Sequence, residues 1–137
     1  MPFVQIYYRE GLLNKEELKR GSNCIHYSLI EHFNIPEDDY FHMCLPYPSN
    51  HFFYDPDYLL EGDNKRSDKI MHISITCASG RTINQKRKLY HSIGEAIHQH
   101  LNISKADIFI TLNESSVENW SFGQGIAQMI KMTEGRE

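Results

Sequence analysis

The chain copies one unit of itself. Phe33-Asn34-Ile35-Pro36-Glu37-Asp38-Asp39-Tyr40-Phe41 aligns with Leu101-Asn102-Ile103-Ser104-Lys105-Ala106-Asp107-Ile108-Phe109 at an offset of 68 residues, and the apolar, Asn and Asp positions agree. Upstream, at an offset of 69, Val4 and Ile6 meet Ile73 and Ile75, and Gly11 meets Gly80. A self-match at one period means that one supersecondary unit is used twice, which prunes the possible folds sharply. Each half reads as a short apolar strand, a Gly-containing turn, a helix, a tight turn and another strand. The repeats are assigned to residues 2–47 and 69–113, joined by a connecting loop at 48–68 and followed by a C-terminal segment at 114–137. All of 1–137 is expected to form one domain.

Helix signals sit where the repeat requires them. Asn14 is a plausible N-cap, with Glu16 and Glu17 in the first turn, where negative charge suits the helix dipole. Leu18, Ile25, Leu29 and Phe33 follow at helical spacing. In the second half Thr82 caps a stripe of Leu89, Ile93, Ala96, Ile97 and Leu101. The strands expected at Lys69–Cys77 and Asp107–Asn113 are rich in Ile and Thr, which suit a pleated, half-buried surface. Two right-handed β-α-β units then predict an α+β fold: a four-stranded sheet with both helices on one face. The other face would be bare and apolar, so self-association is expected to cover it. The connecting stretch from Pro46 to Lys69 is the least regular part, with a Phe52-Phe53-Tyr54 knot that should pack onto something.

At 137 residues and a formal charge of −4, the chain supports one core and carries no basic stripe to attract nucleic acid. No apolar run approaches the ~18 residues that a membrane span needs, and the beginning of the chain lacks a signal-peptide pattern. Neither nucleic acid nor membrane is expected as a partner. Cys24, Cys44 and Cys77 stand far apart with no C-x-x-C pair, as in a reducing cytoplasm. The eight histidines are scattered and show no H-E-x-x-H spacing, so no metal site is expected.

Pro2 follows Met1 and opens the strand-like run Phe3-Val4-Gln5-Ile6-Tyr7-Tyr8. One reading is an edge strand beginning at a proline, whose missing N–H does no harm there. The other starts from removal of Met1, the usual expectation before a small second residue, which leaves a secondary amine at the terminus. An α-amino group titrates near ~7.7–8.0 in free peptides, and an apolar wall or a guanidinium beside it disfavours its charged form. An amine brought toward neutrality can act as a general base and acid.

Pro2, the duplicated β-α-β units and the implied oligomer together resemble the tautomerase superfamily. Within it, the chain is most similar to the malonate semialdehyde decarboxylase-like branch. The match rests on Pro36-Glu37-Asp38-Asp39-Tyr40, on Gly80-Arg81-Thr82-Ile83-Asn84-Gln85-Lys86, and on Glu118-Asn119-Trp120-Ser121-Phe122-Gly123-Gln124-Gly125. The resemblance extends from Pro2 to about Met129. It implies cofactor-independent chemistry in a homotrimer, with Pro2 as the catalytic proline and Asp39 placed near it. It also implies that Arg81 grips the substrate carboxylate and that Trp120 and Phe122 form the apolar wall shielding the proline. The family's second arginine, two residues before Arg81, is absent; Ser79 stands there.

Each assignment has a plainer rival. Asp39 has a repeat partner in Asp107, so it reads equally well as a turn-stabilising aspartate. Arg81, at the mouth of the second helix, suits a carboxylate or enolate held in a bidentate fork, or an ion pair with a glutamate. Trp120 and Phe122 would serve as core or interface aromatics. The expected function is a cytoplasmic tautomerase of a small carboxylate substrate, a 2-oxo acid or its enol, with Pro2 as base and acid. The rivals are decarboxylation of a 3-oxo acid, to which the lone arginine is less suited, and a non-catalytic small-molecule-binding relative.

Overall fold

A computed structural model of the chain describes residues 1–130; the last part of the C-terminal segment, 131–137, lies outside the described residues. Strand β1 runs Phe3–Arg9, helix α1 Lys15–Phe33 and strand β2 His42–Tyr47. Strand β3 runs Met71–Cys77, helix α2 Ile83–Leu101 and strand β4 Ile108–Glu114. The sheet order is β2-β1-β3-β4, with β1 parallel to β2, β3 parallel to β4, and β1 antiparallel to β3.

The register exposes the symmetry hidden in the sequence. Val4 pairs with Ile75, Ile6 with Ile73, and Gln5 with its own repeat equivalent, Ser74. The two halves are thus related by a pseudo-two-fold axis through the middle of the β1–β3 pair. Local devices repeat with it. Asn14 and Thr82 each form a reciprocal capping box, with Glu17 and Gln85 respectively, satisfying N–H groups that a helix start leaves orphaned. Both helices end on an asparagine in the left-handed region, Asn34 at φ 55° and Asn102 at φ 58°, a conformation that Asn tolerates better than most residues. Gly11 and Gly80, which turn the chain after the first strand of each half, also have positive φ, 82° and 119°; a Cβ would be strained there.

Alternate residues of β1 and β3, from Val4, Ile6 and Tyr8 to Met71, Ile73, Ile75 and Cys77, join Ile25, Leu29, Phe33, Leu89, Ile93 and Ile97 in one buried cluster. Both helices therefore cover one face of the sheet. They cross closely: a Cβ on Gly21 would lie 3.1 Å from the Leu101 side chain, and the Ser28 and Ser92 hydroxyls bond across the contact at 2.7 Å.

The uncovered face is more polar than the sequence led us to expect. Gln5 donates to the Tyr7 hydroxyl at 3.1 Å, Tyr7 stacks on His72, and the His72 ring is bonded to Thr111 at 2.9 Å. Met43 and Phe109 supply its exposed apolar area. At the rim of this face the connecting segment folds against Tyr47 through Phe52, on which Tyr54 packs in turn; of the expected aromatic knot, Phe53 stays 88% exposed. Among the described residues, no helix is long and apolar enough to cross a membrane.

Edge strand β2 meets α1 through a polar cluster. The Ser22 hydroxyl bonds Tyr40 OH at 2.7 Å and His42 Nδ1 at 2.8 Å. Burial, then the neighbouring His26 and the Lys19 ammonium, push the His42 imidazole down to about 4. In the unfolded chain it titrates near ~6.5, so between those values the unfolded state binds more protons. The contribution is intact above ~6.5 and is lost as pH falls toward 4, up to about 3 kcal/mol in all. Urea unfolding at pH 7 and pH 4.5 should therefore show His42→Asn losing less stability on acidification than the parent. Equal losses would remove His42 as an acid-sensitive group.

Candidate active site

One end of the sheet gathers the amino terminus and the three segments on which the family resemblance rests. Because β1 and β3 are antiparallel, β1 begins where β3 ends, with Phe3 opposite Thr76. Strand β2 also begins there, its lead-in residue Phe41 accepting the Val4 N–H at 2.9 Å, and β4 ends beside Cys77 at Glu114. The amino terminus, the turn before β2, the loop from β3 to α2 and the segment after β4 therefore converge.

Pro2 is fully buried. The amino nitrogen of Met1, one residue away, lies 2.8 Å from Asp39 Oδ2, and both side chains are largely shielded. Asp39 and Asp107 close equivalent turns, Asp39 N to Pro36 O at 3.1 Å and Asp107 N to Ser104 O at 2.9 Å. Their side chains then diverge. Asp107 is buried and accepts from the Ser67 N–H at 2.6 Å and the Ser67 hydroxyl at 2.7 Å, whereas Asp39 faces the chain terminus. The shared turn explains why the repeat shows both aspartates; only Asp39 stands beside the amino group.

Arg81 precedes the Thr82 cap of α2. Among the described residues it pairs with no glutamate: its guanidinium donates to Ala78 O at 3.2 Å and Phe33 O at 3.0 Å, and lies 4.9 Å over the Phe33 ring. Two of its five N–H donors are so engaged, which fixes the fork while leaving capacity for a ligand. The Cys77 thiol marks how the charges converge. Burial pushes it up, and Arg81, the amino terminus and Lys86 pull it down while Glu114 pushes it up. Lys86 and Glu114 form an ion pair of 3.0 Å. Arg66 is remote from this end; it donates to Asp55 O and Tyr58 O within the connecting loop. Within one protomer it does not stand in for the arginine missing at Ser79.

Trp120 and Phe122 stack with centroids 5.6 Å apart, and Phe122 packs on Phe41 at 5.7 Å. Since Phe41 is bonded to Val4, this aromatic layer borders the start of β1. Trp120 Nε1 is buried with no hydrogen-bond partner among the described residues. Sequence reasoning missed Phe41 and Phe33 as parts of the site. Phe41 was visible only as a repeat match to Phe109, and Phe33 only as a repeat match to Leu101 on the apolar stripe of the first helix. A cavity of about 200 Å³ lined by Arg9, Tyr47, Phe52, Tyr54 and Asp68 lies at the other end of the sheet and is separate from this arrangement.

A duplicated β-α-β sheet with a proline-led strand, a carboxylate and an arginine at one end is the architecture of tautomerase-type proteins. A sequence profile of the family described as "Tautomerase enzyme" matches residues 39–123, and the chain belongs to that family. It is 46% identical over 131 residues to "Probable tautomerase YusQ" of Bacillus subtilis (strain 168), covering 96% of this chain and 100% of that protein. Among solved structures, FG41 malonate semialdehyde decarboxylase inhibited by 3-bromopropiolate superposes with a TM-score of 0.86 at 23% identity, over 98% of this chain and 99% of that one. A wild-type fused 4-OT, solved as an asymmetric trimer, superposes with a TM-score of 0.74 at 14% identity, over 93% and 98% of the two chains.

Proposed function

We propose that this protein is a cofactor-independent keto–enol tautomerase acting on a 2-oxo acid or its enol. The observation that carries the reading is the amino terminus held 2.8 Å from Asp39 at the arginine-bearing end of the sheet. Once Met1 is removed, the Pro2 ring nitrogen becomes the terminal amine in that setting. Neutral Pro2 takes a proton from the carbon next to the substrate carbonyl and returns it elsewhere on the conjugated system. The ammonium formed in between is stabilised by the Asp39 carboxylate, since an opposite charge at close range favours the charged form. Arg81 binds the substrate carboxylate and offsets charge on the enolate. Trp120, Phe122 and Phe41 exclude water and so strengthen both interactions.

Asp39 also favours a second reading. The sequence suggested an amine lowered by a guanidinium and an apolar wall, but a carboxylate beside it acts in the opposite sense. A Pro2 held as a cation would polarise the carbonyl of a 3-oxo acid while its carboxylate leaves as carbon dioxide. The pH profile separates the two roles. A base loses rate as pH falls below its pKa, and an acid loses rate as pH rises above it. A non-catalytic relative would show neither limb.

We further place the protein in the cytoplasm as a homotrimer. The three free cysteines fit a reducing compartment. The uncovered sheet face, with Met43 and Phe109 exposed, gives copies of the chain a surface to share. Sedimentation at micromolar concentration should show a trimer; a stable monomer would refute that assembly.

Pro2→Ala should lower turnover on phenylenolpyruvate-like substrates by about 100-fold or more, the scale of a lost general base. A loss below about threefold would remove Pro2 from the mechanism. Arg81→Ala should raise KM for carboxylate substrates by about 10- to 100-fold, the worth of one charged hydrogen-bond pair, and leave a neutral analogue nearly unaffected. Equal effects on both substrates would mean that Arg81 does not read the carboxylate.

A further inference from the structure

The two halves differ in one part of the helix–sheet contact that packing alone does not require. Against the turn 36–39, His26 Nε2 bonds the Glu37 carbonyl at 2.8 Å. A carbonyl only accepts, so Nε2 carries the proton; Nδ1 is left buried without a hydrogen-bond partner among the described residues. Tyr40 stacks on the His26 ring with centroids 4.4 Å apart. Its hydroxyl is tied to Ser22 at 2.7 Å, and the Lys19 ammonium lies 5.2 Å over its ring. His42 stands edge-on to both rings. Glu37 and Tyr40 bracket Asp38 and Asp39, so both ends of that short stretch are fastened to α1.

At the repeat offset of 68, Ser22, His26, Tyr40 and His42 correspond to Tyr90, Gly94, Ile108 and Ile110. Those four residues line a cavity of about 370 Å³ in the second half. The second half ties the same turn to its helix differently, by His98 Nδ1 on the Ile103 carbonyl at 2.8 Å and by the Lys105–Glu95 ion pair, with no ring stacked on a histidine there among the described residues, and holds Asp107 by Ser67. A buried polar network is costly to leave half-satisfied, and this one accompanies only the aspartate that faces the amino terminus.

We propose that His26 is the positioning residue for Asp39, fixing the turn 36–39 through the Glu37 carbonyl and the stacked Tyr40 ring so that the carboxylate stays against the terminal amine. This rests on the reading above, in which Asp39 attends the Pro2 nitrogen. Among the described residues no hydrogen bond joins the Asp39 side chain to the cluster; its position follows from Glu37 and Tyr40 on either side. Without His26 the turn would still close through Asp39 N and Pro36 O, but its orientation on α1 would be loose. The carboxylate would then spend less time beside the amine, and the amine would lose part of the charge stabilisation it receives.

The test titrates the Pro2 nitrogen by ¹⁵N NMR in Met1-free protein, alongside kcat, KM and thermal unfolding, for His26→Leu, His26→Gln and Asp39→Asn. Asp39→Asn should lower the apparent Pro2 pKa by about one unit or more, as loss of a close opposite charge does. His26→Leu should lower it by at least about half that amount, and reduce kcat roughly tenfold with KM changed less than about twofold. His26→Gln, whose amide can still donate to Glu37, should restore both values. Should His26→Leu not fold, Tyr40→Phe carries the same test, with a smaller downward shift expected and no shift overturning the proposal. If His26→Leu only lowers the melting temperature while Pro2 titration and kcat hold, His26 is a packing residue and the proposal fails alone. If Asp39→Asn leaves the Pro2 titration unchanged, the assignment of Asp39 to Pro2 fails first and takes the positioning role with it.

Discussion

The antiparallel pairing of β1 with β3 is the constraint from which the rest follows. Two β-α-β units on their own would be two half-sheets with two bare edges each. Joining them edge to edge, with Gln5 facing Ser74, makes one sheet and puts both helices on one face. It also brings the start of one repeat's first strand against the end of the other's. The amino terminus therefore lies next to the loop entering α2, although Arg81 comes 79 positions after Pro2 in the sequence.

Pseudo-symmetry of this kind offers two equivalent sheet ends, and side chains decide which becomes a site. Arg81 corresponds to Leu12, which packs against the core, and His26 corresponds to Gly94. Asp39 corresponds to Asp107, whose carboxylate is consumed by Ser67. One end thus holds a structural carboxylate without a free terminus, and the other holds a carboxylate, an amine and a guanidinium together. The charges at that second end oppose one another in effect. In the proposed reading, the balance between the Asp39 carboxylate on one side and Arg81 with the apolar wall on the other decides whether Pro2 works as a base or as an acid.

Much of this was legible in the residues. The repeat, both N-caps and both apolar helix stripes rest on local spacing and local hydrogen bonding, and the structure places the elements where those signals put them. Strand ends moved by one or two residues: β3 begins at Met71 rather than Lys69, and β4 runs Ile108–Glu114. The reason is that pairing partners, not composition, terminate a strand. The character of the open face was misjudged because Gln5, Tyr7, His72 and Thr111 satisfy one another only across strands. Phe41 and the His26–Tyr40–His42 cluster escaped notice for the same reason, since their partners are distant in sequence.

The amino-acid order alone determined two β-α-β units, their caps and turns, and the chemical identities of Pro2, Asp39, Arg81, Trp120 and Phe122. It could do so because those properties depend on neighbours within a few residues or on a repeated pattern. The tertiary structure decided which aspartate meets the amino terminus, that Arg81 leans on the end of α1, and that Arg66 stays in its loop. Those outcomes depend on which strand edges pair and on the direction in which each side chain leaves its turn, and neither is written in local sequence.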